Sequence, residues 1–167
     1  MPYLPCPDTD APPDGEENRA GGVCAAATGF LPWKTIGAGY ADAWDTRYRY
    51  WVNTDYANNI VGFLLTTDDE ANSATVETRV GNNDVDPLKN AGAVIYMHGK
   101  NGLCGISIDD VNRAAIPAVG NDDENENANA DDKFMSRSLT KEGALVAGGI
   151  FDDIVTWINS YELKAKM

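Results

Sequence analysis

The chain has 167 residues, a formal net charge of −13, and 43% hydrophobic residues. That size and composition suit one core in a single domain spanning 1–167, and they argue against global disorder. The acidic balance argues against nucleic acid and against anionic membrane surfaces, both of which are bound by clustered Lys and Arg. The longest apolar runs, 60–65 and 144–151, fall far short of the roughly 20 residues that a membrane helix needs. Met1-Pro2-Tyr3-Leu4-Pro5 carries no basic and apolar leader, so the chain reads either as cytosolic or as one separated from its targeting segment.

In chain order, residues 1–46 read as irregular. Leu4-Pro5-Cys6-Pro7 is extended. Residues 7–23 have no apolar pattern, and they hold Pro12-Pro13, Gly15 and Gly21-Gly22. A disulfide between Cys6 and Cys24 would pin this segment, contributing roughly 3 kcal/mol by loop closure, and it implies an oxidising compartment. The competing reading is two reduced, buried cysteines. Cys104, the third of three, reads as a buried thiol. Gly29-Phe30-Leu31-Pro32-Trp33 and Gly37-Ala38-Gly39 resist regular structure.

From 47 onward the pattern turns to strands. Residues 47–53 alternate, with Tyr48, Tyr50 and Val52 opposite Arg47, Arg49 and Trp51. A second strand is expected at 60–66, joined to the first as a hairpin, and a third at 74–80. Residues 81–90 read as a polar loop and 91–97 as a strong strand, ended by the turn Gly99-Lys100-Asn101-Gly102. A short helix or single turn is expected at 109–115 and a strand at 134–139. Residues 150–158 fit both periods; abundant Ile, Val, Thr and Trp favour strand. A short helix is expected at 160–166. The tract 120–132 has almost no apolar content and reads as a long solvated loop. The sum is an α+β chain dominated by an antiparallel sheet, one face of which lacks a covering helix.

Little in the chain points to catalysis. His98 is the only histidine, so any Ser-His-Asp or Cys-His device must use it. No nucleophile elbow accompanies it. Gly37-Ala38-Gly39 is not a dinucleotide fingerprint, and 99–102 lacks the rest of a phosphate loop. Trp33, Trp44 and Trp157 read as core anchors, and Trp51 as facing a covering layer or a neighbouring subunit. Three oxygen-rich clusters suit calcium: Asp8, Asp10, Asp14 and Glu16; Asn82, Asp84 and Asp86; and Asp122, Asp123, Asn125, Asn127, Asn129 and Asp131. None completes an EF-hand, and a solvated charged loop is the ordinary fate of such runs.

Several stretches resemble, in order, the type IV pilins and the pseudopilins of type II secretion, which carry a prepilin-type leader. They are Tyr3-Leu4-Pro5-Cys6-Pro7, Gly29-Phe30-Leu31-Pro32-Trp33 with Thr35-Ile36-Gly37, Asp42-Ala43-Trp44-Asp45 leading to Tyr48-Arg49-Tyr50, Val94-Ile95-Tyr96 with Gly99, and Phe151-Asp152-Asp153-Ile154-Val155-Thr156-Trp157. Asp45 stands where the family usually has glycine, which alters the turn entering the strand. The resemblance implies a pilin-like head acting by assembly, not as an enzyme, in a periplasmic or extracellular filament anchored at the inner membrane before assembly. Its partners are then other pilin subunits and an N-terminal helix, absent from this chain, that is either removed or carried by a separate chain. The resemblance also implies calcium in the acidic loop, at Asp122, Asp123, Asn125, Asn127 and Asp131. The rival readings are a calcium-dependent adhesin or minor tip subunit, and a small secreted hydrolase using His98.

Overall fold

The computed structural model describes residues 1–68, 72–80, 84–117, 121–129, 131–140 and 146–167. The N-terminal segment forms a two-stranded ribbon, β1 (Arg19–Ala20) with β2 (Val23–Cys24). It is followed by β3 (Thr28–Phe30) and the one-turn helix α1 (Trp33–Ile36), so part of the 29–39 stretch is regular after all. Next come β4 (Arg49–Val52), a 3-10 turn at Thr54–Tyr56, β5 (Ala74–Val80) and the long strand β6 (Asp84–Met97). Helix α2 (Asp122–Ala128), β7 (Lys133–Met135), β8 (Ile154–Asn159) and α3 (Ser160–Lys164) complete the chain. No helix among the described residues is long and apolar enough to cross a membrane.

The main sheet runs β3-β4-β6-β5-β7, with β8 also on β6. Residues 93–96 of β6 pair with β4 on one side and β8 on the other. All pairings are antiparallel except β5 with β7, which is parallel. The fold is therefore α+β and dominated by sheet, but the sheet is mixed.

The period-2 pattern is realised on both faces. Trp51, Val94, Tyr96 and Phe134 form one apolar cluster, with Val155 and Trp157 packed against it. Tyr50, Val52, Ala93 and Cys6 form the other, with Tyr48, Ile95 and Ile158 against it. Trp51 is buried on the first face beside Phe134 of β7, edge-on to it at 6.4 Å. Strand, not helix, is the state of 154–159. The Cys6–Cys24 disulfide is present, with Cys6 wholly buried. It fixes the N-terminal segment over part of the second face.

Several expectations fail for identifiable reasons. Residues 60–66 form turns, not a strand paired with 47–53. The Asn58 side chain accepts from the amides of Ile60 and Val61, and Gly62 adopts φ 63°, outside the range of regular strand backbone. Ile60, Val61, Leu64 and Leu65 stay exposed. The supposed loop 81–90 contains the first half of β6. Pro87, which cannot donate to a ladder, is accommodated where the β5 register shifts between Val76 and Glu77. Residues 109–115 form no helix, because Asp110 sits at φ 61° in a turn closed by Ser107. The strand at 134–139 is shorter, Lys133–Met135. Cys104 and Trp44 are exposed rather than core, Cys104 lying in a turn at φ 59°. Trp33 and Trp157 are half-buried; Trp33 closes over Gly15, where a Cβ would stand 2.3 Å from the indole.

The largest correction is at 120–132. Helix α2 occupies most of it, and Asp123, Glu124 and Asn127 are buried. Three acidic residues in the first turn favour the positive helix end. The inward face is polar because its partners are polar, so no apolar stripe marks it.

Candidate functional site

Two places combine unusual geometry with exposure or charge. The first is an apolar groove of about 350 Å³ on the β4–β6–β8 face, lined among others by Leu4, Leu31, Ile36, Ala93, Ile95 and Ile158. None of its ten lining residues is charged. Beside it, no residue of β8 is buried, although Ile154, Val155, Trp157 and Ile158 are all large and apolar.

The second lies under α2. Asp123 is held by two arginines, Arg79 at 2.6 Å and Arg137 at 2.5 Å. Gly148 makes room for this cluster, since a Cβ there would fall 1.9 Å from Asp123 Oδ2. Asn127 donates to the Met135 carbonyl and to Asp153 Oδ2, each at 3.0 Å, and accepts from the Met135 amide at 2.7 Å. One turn from these, Glu124 Oε1 accepts from Asn101 Nδ2 at 3.0 Å and from the Asp152 amide at 3.1 Å. Asp152 Oδ2 accepts from the Asn101 amide at 2.8 Å.

The electrostatics of the two halves differ. Asp123 is neutralised by its arginines. Glu124, Asp152 and Asp153 bring three carboxylates together, with ligand oxygens all within 4.8 Å of one another. Burial pushes the Asp153 carboxyl up to about 8, against the Asn127 hydrogen bond, with the charges of Glu124 and Asp152 adding to the rise. Burial raises Glu124 as well. Glu124 Oε2 and Asp152 Oδ1 are buried with no hydrogen-bond partner among the described residues.

The calcium set expected at 122–131 is not brought together. Asp122 and Asn125 lie on α2, and Asn125 bonds back to the Asn121 carbonyl. Asp123 is occupied by arginine, Asn127 by Met135 and Asp153, and exposed Asp131 caps the Lys133 amide at 2.8 Å. At the N-terminal cluster, Asp8, Asp10 and Asp14 do converge, but both Asp8 oxygens already accept, from Asp10 and Gly15 amides. Asn82 lies outside the described residues. The meeting of Glu124, Asp152, Asp153 and Asn101 has no counterpart in the sequence pattern. The available signal was Asp152-Asp153 directly ahead of an apolar strand, where two adjacent carboxylates are forced towards the core.

His98 is 3% exposed, edge-on to Tyr96 at 5.7 Å, and its Nδ1 has no partner among the described residues. Burial, with the nearby Arg49 charge, lowers its pKa to about 4. It is a neutral ring packed under the 98–102 turn. In comparisons with known proteins, the chain matches no family model, no curated protein and no solved structure.

Proposed function

We propose that this chain is the head of a filament subunit of pilin or pseudopilin type, acting by assembly in the periplasm or outside the cell. The observation that carries this reading is the uncharged apolar groove on the β4–β6–β8 face. In a chain of net charge −13, a strip of sheet without a charged residue is a surface suited to burial against another apolar element. The proposed occupant is an apolar helix of the filament, whether continuous with this chain or carried by another subunit. The Cys6–Cys24 bond accords with an oxidising compartment.

The test is to shear surface filaments from the source cells and probe them for this chain. Its presence there, lost on Ile95→Glu with the head still folded, supports the reading. A chain confined to the cytoplasm with Cys6 and Cys24 reduced sinks it.

An adhesin or minor tip subunit is the second reading, favoured by the exposed cleft of Trp44, Leu103, Leu139 and Ile154. Copy number separates the two: a tip protein occurs a few times per filament, a major subunit throughout. The hydrolase reading needs His98, whose burial disfavours protonation and access. It predicts that His98→Ala abolishes a measurable activity without unfolding the chain.

A further inference from the structure

We propose that the free edge of β8 pairs antiparallel with β8 of a second copy of this chain, joining two main sheets across a twofold axis at Thr156. This inference concerns the edge of the sheet, not its groove, and it does not depend on the filament reading.

The direction in which a strand offers its backbone follows from alternation, since in an antiparallel pair every second residue bonds to a given neighbour. The Asn53 amide donates to the Gly92 carbonyl at 2.9 Å, so Gly92, Val94 and Tyr96 turn their backbone groups to β4. Ala93, Ile95 and Met97 then turn theirs to β8, where they are paired with Ile158, Thr156 and Ile154. The N–H and C=O groups of Val155 and Trp157 therefore point away from β6. No backbone group among the described residues bonds to them.

Two other edges of the same sheet are closed from within the chain. On the outer side of β3, Asp8 and Phe30 exchange backbone bonds at 3.0 and 2.8 Å. On β7, the Asn127 side chain takes the Met135 amide and carbonyl. β8 has no such cover among the described residues. Its sequence, Ile154-Val155-Thr156-Trp157-Ile158-Asn159, holds no charge and no proline, the devices that ordinarily keep an exposed edge from pairing. None of the six residues is buried, so the strand is open to a neighbour.

The strand's own sequence selects a second copy as the occupant. A register centred on Thr156 places Ile154 opposite the partner's Ile158, Val155 opposite the partner's Trp157, and Thr156 opposite the partner's Thr156. Aromatic with β-branched and Thr with Thr are pairs that stabilise neighbouring strands. At the ends, Asp153 meets the partner's Asn159 and Asp152 approaches the partner's Ser160, so like charges are not opposed in a chain of net charge −13. Centring on Trp157 instead brings Asp152 towards the partner's Glu162, two carboxylates that repel. In the Thr156 register, Val155 and the partner's Trp157 bond through their backbones. Thr156 meets its copy at a non-hydrogen-bonded position, where Cα atoms approach to about 4.5 Å. Thr156 and Ile158 also line the apolar groove, so the twofold sets two grooves side by side.

The experiment takes the purified chain, with its disulfide intact, through sedimentation and amide exchange from about 10 μM to 1 mM, a range suited to a small interface. The expected result is a monomer–dimer equilibrium. It should tighten several-fold as salt rises from about 10 mM to 1 M, because screening relieves the repulsion between two acidic chains. Amides of Ile154, Thr156 and Ile158 should be protected at every concentration, and those of Val155 and Trp157 only where the dimer forms. Thr156→Glu sets two carboxylates against each other on the axis and should weaken association at least tenfold. In a Cys104→Ser background, which removes the exposed free thiol, Thr156→Cys should cross-link two copies under mild oxidation, whereas Ile154→Cys should not. A chain still monomeric at about 1 mM in 1 M salt overturns the proposal. So does a dimer whose Val155 and Trp157 amides stay as open as in the monomer, or one that Thr156→Glu leaves intact. The exchange map uses the unaltered chain, so it decides the matter even if a variant does not fold.

Discussion

The N-terminal disulfide segment and the α2 region look alike in sequence: acidic, poor in apolar residues, and rich in Asn, Asp and Glu. They are held by different means. In the first, one covalent bond fixes the chain, and Arg19 gathers Glu17 and the carbonyls of Leu4, Gly22 and Ala57 around itself. Most of its carboxylates remain in solvent. In the second, the acidic face of a helix is turned inward and answered by Arg79 and Arg137 at Asp123 and by Asn101 at Glu124. Acidity in a sequence therefore does not by itself mark a solvated loop. What decides is whether the rest of the fold supplies partners.

The sharpest way to break this contrast is Asp123→Ala. It leaves two largely buried guanidinium groups facing no carboxylate and should cost about 3–5 kcal/mol in urea unfolding. A loss under 1 kcal/mol would mean that the Arg79–Asp123–Arg137 cluster is solvated, like the N-terminal acids. Breaking the Cys6–Cys24 bond, by reductant or by paired serine variants, should cost about 3 kcal/mol. The loss should fall on the N-terminal segment, seen as faster amide exchange there than in α2.

Asn127→Ala unpairs the Met135 backbone and Asp153, and about 2 kcal/mol is the expected loss. His98 gives a pH signature. Its folded pKa, about 4, lies below the usual value of 6.5, so its stabilising effect is present above pH 6.5 and fades as pH falls towards 4. The expected loss across that window is about 2 kcal/mol, and His98→Asn should remove that part of the pH dependence. The smallest effect belongs to Asp131→Asn. This exposed cap can be mimicked by an amide oxygen, so stability should change by less than about 0.5 kcal/mol.

Strands at 49–52, 74–80, 91–97 and 154–159 were legible because alternation of large apolar residues records burial on a pleated surface. Tyr50 and Val52 against Trp51, and Val155 and Trp157 against Ile158, fall on the faces that their spacing assigns. The pairing of Cys6 with Cys24 was also within reach, from a patternless segment between two cysteines. The expected strand at 60–66 failed because apolar content was read without its turn chemistry, the Asn58 side chain and Gly62. At 122–131 the tract was marked as oxygen-rich, but the structure spreads its side chains over different partners instead of one centre. Five of its residues were singled out, while Glu124, the one with an orphan oxygen, was passed over.

By itself the sequence determined the α+β class, most strands and the acidic charge balance, and it offered the Cys6–Cys24 pairing as one of two readings. These are local or compositional properties, set by side-chain period and charge. Only the tertiary structure decided that 122–128 is a helix with a polar buried face, that β7 joins parallel, and that Asp152 and Asp153 meet Glu124. The physical reason is that hydrophobic burial leaves a periodic trace along the chain, whereas a buried polar group is stable only through partners far away in sequence, and it leaves no such trace.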